Sequence, residues 1–394
     1  MTRRLAACAA VITLAAGPVL AQDTREAVIA QAQAEKATRL EPYEPNRVEA
    51  ILKQLQSMLV LSPEGVYPVF GSVYSGGGFT LGAGYRRYLG DRLNWSVGGL
   101  YSLKNYKLLE AGLQSPRPLT GRVDWSLEAG WRDATQVAYH GLGMESQDDE
   151  AQFRMEQGFA GGKAWLRPRP WAVMHAAIGY EGFTIADGQG HAPDVDEVFT
   201  PETAPGLGDH PDFLHLVWSA AIDTRDSPGY TRRGALMEIA HHTYRDLADT
   251  YNFGRLDAEV IEHVPLFRET WVLSLRGRLQ TTLEDADSVP FFLMPALGSG
   301  SSLRGYSSWR FRDRHSLLFS AEWRWIPNRL ALDAALFYDT GTVADRFDAL
   351  SIGRMESNVG FGVRFHSPVV TPLRVEVAWG RNGPRMIFSA SSAF

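Results

Sequence analysis

The feature that most constrains the fold is an alternation of apolar and polar residues with a period of two, which runs from Val66 to the end of the chain. The segment 271–280 shows it most clearly, since one face carries Trp271, Leu273, Leu275 and Leu279. The other face carries Ser274, Arg276, Arg278 and Gln280. Because successive side chains of a β-strand point to opposite faces, this pattern predicts strands rather than helices. It fits both a membrane barrel and a soluble, half-buried sheet.

Three further features favour the membrane barrel. The predicted strands are often 10 to 14 residues long, which approaches what a tilted strand needs to cross a bilayer. The connections alternate between tight turns and long polar loops, the asymmetry expected between the two sides of such a barrel. Aromatic residues also gather near strand ends, as an interfacial girdle requires; they include Tyr85, Tyr88, Trp95, Trp165, Trp171, Trp323 and Trp325.

Sixteen strands are predicted, beginning near residues 66, 78, 93, 105, 121, 151, 170, 213, 233, 253, 269, 313, 328, 357, 372 and 384. The tight turns include 90–92, 168–170 and 327–328, and the long polar connections include 133–150 and 186–212. A closed barrel with an even number of strands leaves no edge exposed in lipid. Residues 66–394 are therefore predicted to form an all-β, 16-stranded antiparallel transmembrane β-barrel, with a short N-terminal helical segment before it.

The first 21 residues have the composition of a secretory signal peptide. Two arginines precede an apolar run from Leu5 to Leu20, and Ala21 supplies the small residue before a cleavage site. A Gly-Pro pair interrupts this run before it reaches the length that crosses a bilayer. Residues 1–21 are therefore predicted to be removed, together with the single cysteine of the sequence, Cys8.

Residues 22–65 are predicted to form a short helical segment. Apolar residues recur at helical spacing from Val48 to Leu59 and make one apolar stripe. Asn46 and Glu49 have the spacing of a capping box at the start of this helix. A helix docked on the body of the protein, a helix on the membrane surface and a plug in the barrel mouth all remain open. The segment is too short for a substrate-binding domain of ordinary size.

The charge of the chain argues against nucleic acid as a partner. The formal net charge is -6, the isoelectric point is about 6.0, and no basic block occurs. After the first 21 residues, no stretch offers the roughly 18 consecutive apolar residues of a spanning helix. A secreted chain that crosses lipid with strands is expected in the bacterial outer membrane, where outer-membrane lipid and lipopolysaccharide are its partners.

The segment 298–313, GSGSSLRGYSSWRFRD, combines features that rarely occur together. Its glycines and serines are typical of a loop, because glycine tolerates unusual dihedrals and short hydroxyls compete for backbone hydrogen bonds. Leu303, Tyr306 and Trp309 are nevertheless large side chains that a solvated loop has little reason to carry. The sequence therefore predicts a loop that folds back and packs against the barrel.

The tetrapeptide Leu303-Arg304-Gly305-Tyr306 resembles the [V/L]RG[F/Y] signature of the BamA/TamA-like superfamily, the bacterial surface antigen family. Four further segments resemble motifs of that family in the same order along the chain, namely 223–234, 320–324, 337–341 and 357–378. The strand count places the tetrapeptide between the eleventh and twelfth predicted strands, on the outer side, where the family has it. The resemblance extends over residues 66–394.

The resemblance implies that Arg304 reaches into the lumen and pairs with the acids at Glu322 and Asp339. Alternation independently places both acids on the inner face, because charges are costly on the lipid face. The alternative is that the three residues line a wet lumen as scattered charges. Phe337 and Gly341 match the family's F-x-D-x-G strand, and Phe394 matches the terminal aromatic by which assembly machinery recognises a barrel.

The resemblance implies a role in membrane protein insertion, translocation or outer-membrane biogenesis. The short segment before the barrel is similar to that of a reduced subgroup, which lacks the periplasmic substrate-binding (POTRA) domains. Other outer-membrane proteins or a periplasmic protein are expected as partners. A passive pore with a lumen-plugging loop is the alternative, and a structural or adhesion barrel is a third reading.

Signals of catalysis are weak, so the protein is not predicted to be an enzyme. Neither an H-E-x-x-H nor a G-x-S-x-G motif occurs, and no cofactor or metal is predicted. The acidic connection that contains Asp194, Asp196 and Glu197 either binds a cation or is simply solvated.

Overall fold

The computed structural model describes residues 64–90, 93–115, 122–146, 150–267, 270–327, 331–366, 371, 373–389 and 393. The predicted signal peptide, all but the last two residues of the predicted helical segment 22–65, and the terminal Phe394 lie outside the described residues. Gly65 itself belongs to the first strand rather than to a helix. In the described part of the chain, no helix has the length and apolar composition to cross a membrane.

Sixteen strands form one sheet. They are β1 (Gly65–Phe70), β2 (Thr80–Leu89), β3 (Leu93–Ser102), β4 (Lys107–Gln114), β5 (Val123–Tyr139), β6 (Ala151–Arg169), β7 (Ala172–Asp187), β8 (Asp212–Asp223), β9 (Gly234–Asp246), β10 (Phe253–Leu266), β11 (Trp271–Thr282), β14 (His315–Trp325), β15 (Leu332–Ala344), β16 (Glu356–Phe365), β17 (Leu373–Gly380) and β18 (Gly383–Ser389). Two short strands, β12 (Ala296–Leu297) and β13 (Phe311–Arg312), form a separate ribbon.

Short helical turns lie in the connections. One α-helical turn, α1 (Val195–Val198), follows β7. The 3-10 turns are Ala286–Ser288, Phe291–Leu293, Phe347–Ala349 and Ile352–Arg354.

Each of the sixteen strands pairs antiparallel with the next one along the chain, and β1 and β18 stand at the two ends of this order. β11 pairs with β14 because β12 and β13 belong to the long connection between them. The predicted all-β, 16-stranded antiparallel barrel is thereby confirmed. The strand beginnings agree with the predicted ones to within four residues, the largest difference being at β15, which begins at Leu332 rather than near 328.

Strands β5, β6 and β7 are longer than the pattern predicts, at 17, 19 and 16 residues. β5 continues through Asp133 to Tyr139, so the predicted connection 133–150 is shorter than expected. β6 likewise continues through the predicted turn 168–170 as far as Arg169. The polar residues of β5 conceal its extension, but Val137 and Tyr139 are fully buried inside the barrel and sustain the pairing.

The two faces of the wall differ as the alternation predicts. On β15, Leu336 and Tyr338 are 59% and 44% exposed, whereas Phe337 and Asp339 are buried. An outward apolar face and an inward polar face are the arrangement of a barrel surrounded by lipid. The four longest connections, which follow β5, β7, β11 and β15, all lie at one end of this wall, whereas most connections at the other end are shorter. We take the end with the long connections as the outer side.

The interior of the outer half is filled by a cluster that we call the aromatic core. The strands of the wall contribute Tyr139, Phe153, Phe183, Phe213, Tyr244 and Phe253. The β3–β4 connection contributes Tyr106, and the connection between β11 and β14 contributes Phe291 and Phe292. Most of their rings meet in edge-on or tilted pairs, such as Tyr139 and Phe291 at 4.8 Å between centroids, whereas Tyr244 and Phe253 are stacked at 4.5 Å. The sequence analysis did not predict this core, because no local pattern shows that these inward aromatic residues meet the connection between β11 and β14.

Candidate functional site in the barrel lumen

The connection between β11 and β14 turns into the barrel as a closed loop, residues 298–310, which we call the inner loop. The β12–β13 ribbon joins its two ends, and the Trp309 amide donates to the Gly298 carbonyl at 2.9 Å. Gly298 has a φ of 100°, a conformation that glycine adopts without strain. Leu303 and Tyr306 are buried against β14 and β15 side chains in a small apolar cluster. These contacts account for the large residues in a Gly- and Ser-rich loop.

Arg304, at the tip of the inner loop, is 1% exposed and forms a two-pronged contact with Asp339 of β15. Its Nε and Nη2 donate to the two carboxylate oxygens at 2.8 and 2.9 Å. Its Nη1 donates to Glu322 of β14 at 3.0 Å. The guanidinium also lies 3.5 Å from the ring centroid of Phe337. The structure therefore brings together the arginine and both acids that the sequence analysis paired, because alternation on β14 and β15 directs both acids inward.

The network is larger than the predicted triad. Glu376 of β17 accepts from Arg304 Nη1 at 3.4 Å and from Arg364 Nη2 at 2.8 Å. Arg364 of β16 also donates to Glu322, and Asn358 donates to Asp339 at 2.9 Å. Strand alternation also puts Arg364 and Glu376 on the inner face, but it gives no reason to group them with Arg304.

Six buried charges form the centre of this network, and a seventh, Arg324, lies 4.0 Å from Glu322. Arg304, Arg364 and Arg374 face Glu322, Asp339 and Glu376, and all six are at most 2% exposed. Arg374 Nη1 lies 3.2 Å from Glu376, and its Nη2 donates to the Gly300 carbonyl at 2.7 Å. Desolvating six charges is costly, and removing one partner of a buried pair costs about 3–5 kcal/mol. Such a network fixes the inner loop in one position relative to β14–β17.

Gly305 and Tyr306 of the tetrapeptide allow the loop to pack closely against β16 and β17. A Cβ at Gly305 would lie 2.6 Å from the Asn358 Cβ and 2.8 Å from the Gly380 amide nitrogen, so only glycine fits this approach. The Tyr306 hydroxyl donates to Glu356 at 2.7 Å at the outer rim. Burial and this carboxylate raise the pKa of Tyr306 to about 12. Gly341 is similarly confined, because a Cβ there would lie 2.8 Å from Leu297.

The far end of the inner loop contacts the first hairpin of the barrel. Trp309 stacks on Tyr74 with centroids 5.0 Å apart, and its indole nitrogen donates to the Ser75 carbonyl at 3.0 Å. The hydroxyls of Ser308 and Ser75 lie 3.3 Å apart. The inner loop thus contacts β17 with one end and the β1–β2 connection with the other. No sequence signal indicated this second attachment.

At the opposite end of the barrel, the β8–β9 connection folds across the lumen. The Tyr230 hydroxyl donates to Asp333 at 2.9 Å, and its ring stacks on His366 at 4.1 Å. Arg225 makes a two-pronged contact with Asp223 that shapes the start of this connection. The segment 223–234, which resembles a motif of the family, therefore joins the β8–β9 hairpin to the bases of β15 and β16.

The acidic connection after β7 uses its carboxylates for backbone contacts. Asp194 accepts from the Gly188 amide at 2.7 Å, and Glu197 accepts from the Asp194 amide at 3.4 Å around α1. Among the residues that the structure describes, no group of three or more His, Cys, Asp or Glu side chains is placed to hold a metal ion.

A sixteen-stranded barrel with an apolar outer wall and a charged inner network defines an outer-membrane β-barrel protein. The family model described as the Omp85 superfamily domain matches residues 89–391. The chain belongs to the Omp85 superfamily. The predicted relationship to BamA/TamA-like proteins and the outer-membrane location are confirmed.

Solved structures show the same fold at low identity. BamA from Haemophilus ducreyi lacking POTRA domains 1–3 is 14% identical with a TM-score of 0.60, over 91% of this chain and 81% of that chain. CdiB from Escherichia coli is 13% identical with a TM-score of 0.52, over 84% of this chain. The chain spans 62% of that CdiB chain. No curated protein matches the sequence.

Proposed function

We propose that the protein inserts or translocates other proteins at the outer membrane by opening the seam between β1 and β18. The proposed role is not enzymatic. Its partners are outer-membrane lipid and lipopolysaccharide, together with outer-membrane client proteins or a periplasmic protein that delivers them. Membership of the Omp85 superfamily supports this proposal.

The strands at the seam are built for weak pairing. Within the described residues, β1 has six residues and β18 has seven, the shortest of the sixteen strands. Each contains a proline, Pro68 or Pro384, which has no N–H to donate to a neighbouring strand. Backbone hydrogen bonds hold barrel strands together, so a short ladder that lacks donors opens at lower cost than the wall between β5 and β6.

The attachment of the inner loop to both sides of the seam is the observation that carries the proposal. Gly305 lies against β17, which is paired with β18, and Trp309 holds the connection that follows β1. Opening of the seam must therefore separate one end of the inner loop from its partner. The ionic network holds the β17 end more firmly, so the contact between Trp309, Ser308 and Ser75 is the one expected to release.

The aromatic core argues against the alternative of a passive pore. Its side chains come from both the wall and the connection between β11 and β14, and they fill the outer half of the lumen. A water-filled channel through packed aromatic rings would require that these contacts be lost. A steady conductance is therefore not expected of the closed protein.

A reversible cross-link tests the proposal. The Ser75 and Ser308 hydroxyl oxygens are 3.3 Å apart, which is compatible with a disulfide after Ser75→Cys and Ser308→Cys. Cys8, the only natural cysteine, is replaced by serine. We expect the oxidised double variant to lose the ability to insert other barrel proteins into liposomes and to regain it on reduction. Ser75→Cys alone should keep this activity under both conditions. Equal insertion by the oxidised and reduced forms would refute the seam mechanism.

A further inference from the structure

A cavity of about 270 Å³ lies at the outer end of the seam. The residues that line it and matter chemically are Ser75, Lys104, Ser307, Ser308, Trp309 and Arg385. They come from the β1–β2 connection, the β3–β4 connection, the inner loop and β18, and the rest of the lining includes Gln136 of β5, Gln152 of β6 and His191 of the β7–β8 connection. The cavity therefore contacts both ends of the strand order and the loop that joins them.

Arg385 is the unusual residue of this cavity. It is only partly exposed, and its neighbours Pro384 and Met386 face outward, so its side chain is directed inward. The other inward arginines of the last strands, Arg364 and Arg374, each lie within 3.2 Å of Glu376. Arg385 has no hydrogen-bond or ion-pair partner among the described residues. A half-buried guanidinium without an acceptor is costly unless a ligand supplies one.

The other groups at the cavity favour an anion with several oxygen atoms. Lys104 adds a second positive charge, and the hydroxyls of Ser75, Ser307 and Ser308 add donors. Among the described residues, Glu150 is the one carboxylate at the lining, and it does not reach ion-pair distance of Arg385. Two cations therefore face one acid. A guanidinium beside an ammonium and hydroxyls suits a phosphate group, whose oxygens accept several charged hydrogen bonds at once.

We propose that this cavity binds a phosphate group, supplied either by the headgroup of a phosphorylated outer-leaflet glycolipid or by free phosphate. Arg385 binds the phosphate oxygens, Lys104 contributes the second charge, and the serine hydroxyls donate from the inner-loop side. A bound phosphate would contact β18 and the β1–β2 connection together and would stabilise the closed seam. The binding itself does not depend on the proposed insertion activity.

Binding measurements on the full chain in detergent micelles test the site with two probes. Inorganic phosphate is titrated calorimetrically, and diphosphorylated lipid A is titrated by native mass spectrometry. We expect Arg385→Gln to weaken binding of the successful probe by roughly tenfold or more, because a charged hydrogen bond is lost. Lys104→Gln is expected to weaken it less, and the double variant to abolish it. Arg346→Gln is the matched control, since Arg346 lies on the outer side, is 69% exposed and pairs with Asp348.

The two probes identify the source of the phosphate. Arg385-dependent binding of lipid A alone supports a lipid headgroup, and Arg385-dependent binding of inorganic phosphate supports a free ion. The proposal is overturned if neither probe binds, or if Arg385→Gln and Lys104→Gln bind both probes as the natural chain does. Heat-modifiable migration in gels shows that each variant is folded. If Arg385→Gln does not fold, the decision rests on Lys104→Gln, whose residue lies in an exposed connection.

Discussion

At Arg304, all three nitrogens of a buried guanidinium contact carboxylate oxygens. Asp339 accepts hydrogen bonds from two of these nitrogens, and Glu322 and Glu376 both accept from the third. Replacing such a network by apolar residues is often neutral for stability, so its net value lies less in stability than in position. Phe337 under the guanidinium adds a planar surface that lysine would not use equally well. These contacts admit one placement of the inner loop.

Arg304→Ala is expected to lower the free energy of unfolding by about 3–5 kcal/mol, because Asp339 would remain buried without its main counter-ion. Urea unfolding of the refolded barrel measures this change. Arg346→Ala, which removes an exposed pair with Asp348, should cost no more than about 1 kcal/mol. Chymotrypsin should also cleave the released inner loop near Tyr306. Equal unfolding of the two variants would mean that the network does not hold the loop.

Asp313, just after β13, is expected to make stability depend on pH. It is 5% exposed, and burial together with nearby Asp345 raises its pKa from 3.8 to about 6. The folded state therefore binds the proton more tightly than the unfolded state, so stability falls as pH rises from about 4 to about 6.

The variant Asp313→Asn removes this cost. It should be more stable than the natural chain at pH 7.5, by on the order of 2 kcal/mol, and nearly equal to it at pH 4. Urea unfolding at the two pH values measures the difference. A constant difference at both pH values would show that the carboxyl does not titrate in this window.

The sequence predicted the centre of the site but not its extent. Glu322 and Asp339 could be identified because strand alternation and a family motif agreed on them. Glu376 and Arg364 lay on the correct face, yet alternation does not tell which inward charges meet across a lumen. Ser75 was beyond prediction, since its contact with Trp309 joins residues that are 234 positions apart in the chain. Only the closed shape of the barrel brings them together.

Among the elements, the inner loop depends most on close backbone approach. Gly305 and Gly380 face each other so closely that a Cβ on either one would lie 2.8 Å from the backbone of the other. Backbone atoms cannot move aside as a flexible side chain can, so this contact sets the depth to which Arg304 enters the lumen. The glycine of the tetrapeptide is therefore required by packing rather than by its own dihedral angles.

Gly305→Ala is expected to cost about 1–3 kcal/mol, because the added methyl group must displace the loop from β17. The shift of the urea midpoint measures the cost, and the same variant should show greater protease cleavage of the inner loop. Gly158→Ala on β6 is the matched control, since a Cβ there meets nothing within 4 Å. A similar shift in both variants would indicate a general effect of alanine in strands.

The strands themselves were predictable because the two-residue period records which face meets lipid. The ends of the strands were less predictable wherever the buried face of a strand packs against another part of the protein. On β5, Thr135 and Gln136 look like loop residues, yet their side chains donate to the Lys104 carbonyl while the strand continues to Tyr139. The inward aromatic residues at that level meet the connection between β11 and β14, a contact that no local pattern reveals.

For the whole molecule, the inner network and the aromatic core divide the lumen into two layers. Charged residues and the tip of the inner loop form one layer, and packed rings form the other, at the outer end. The ionic layer fixes the loop to β14–β17. The aromatic layer joins the wall from β4 to β10 with residues 286–294 and extends to Val73, Tyr74 and Trp309 beside the seam. If the seam opens as proposed, the Tyr74–Trp309 contact at the edge of the aromatic layer is lost, whereas Phe291 and Phe292 keep their contacts with β5, β6 and β7.

This division predicts how the protein conducts ions. In planar bilayers the natural chain should show little steady conductance, because Phe291 and Phe292 lie at ring distances of 4.8–5.2 Å from Tyr139, Phe153 and Phe183. Phe291→Ala with Phe292→Ala removes two rings that the rest of the core cannot replace, at about 3–5 kcal/mol each, and water should enter the space. Conductance should then rise severalfold, whereas Phe347→Ala, at a residue 58% exposed, should leave it unchanged. A large steady conductance in the natural chain, unaltered by the double substitution, would instead favour a pore that bypasses the aromatic core.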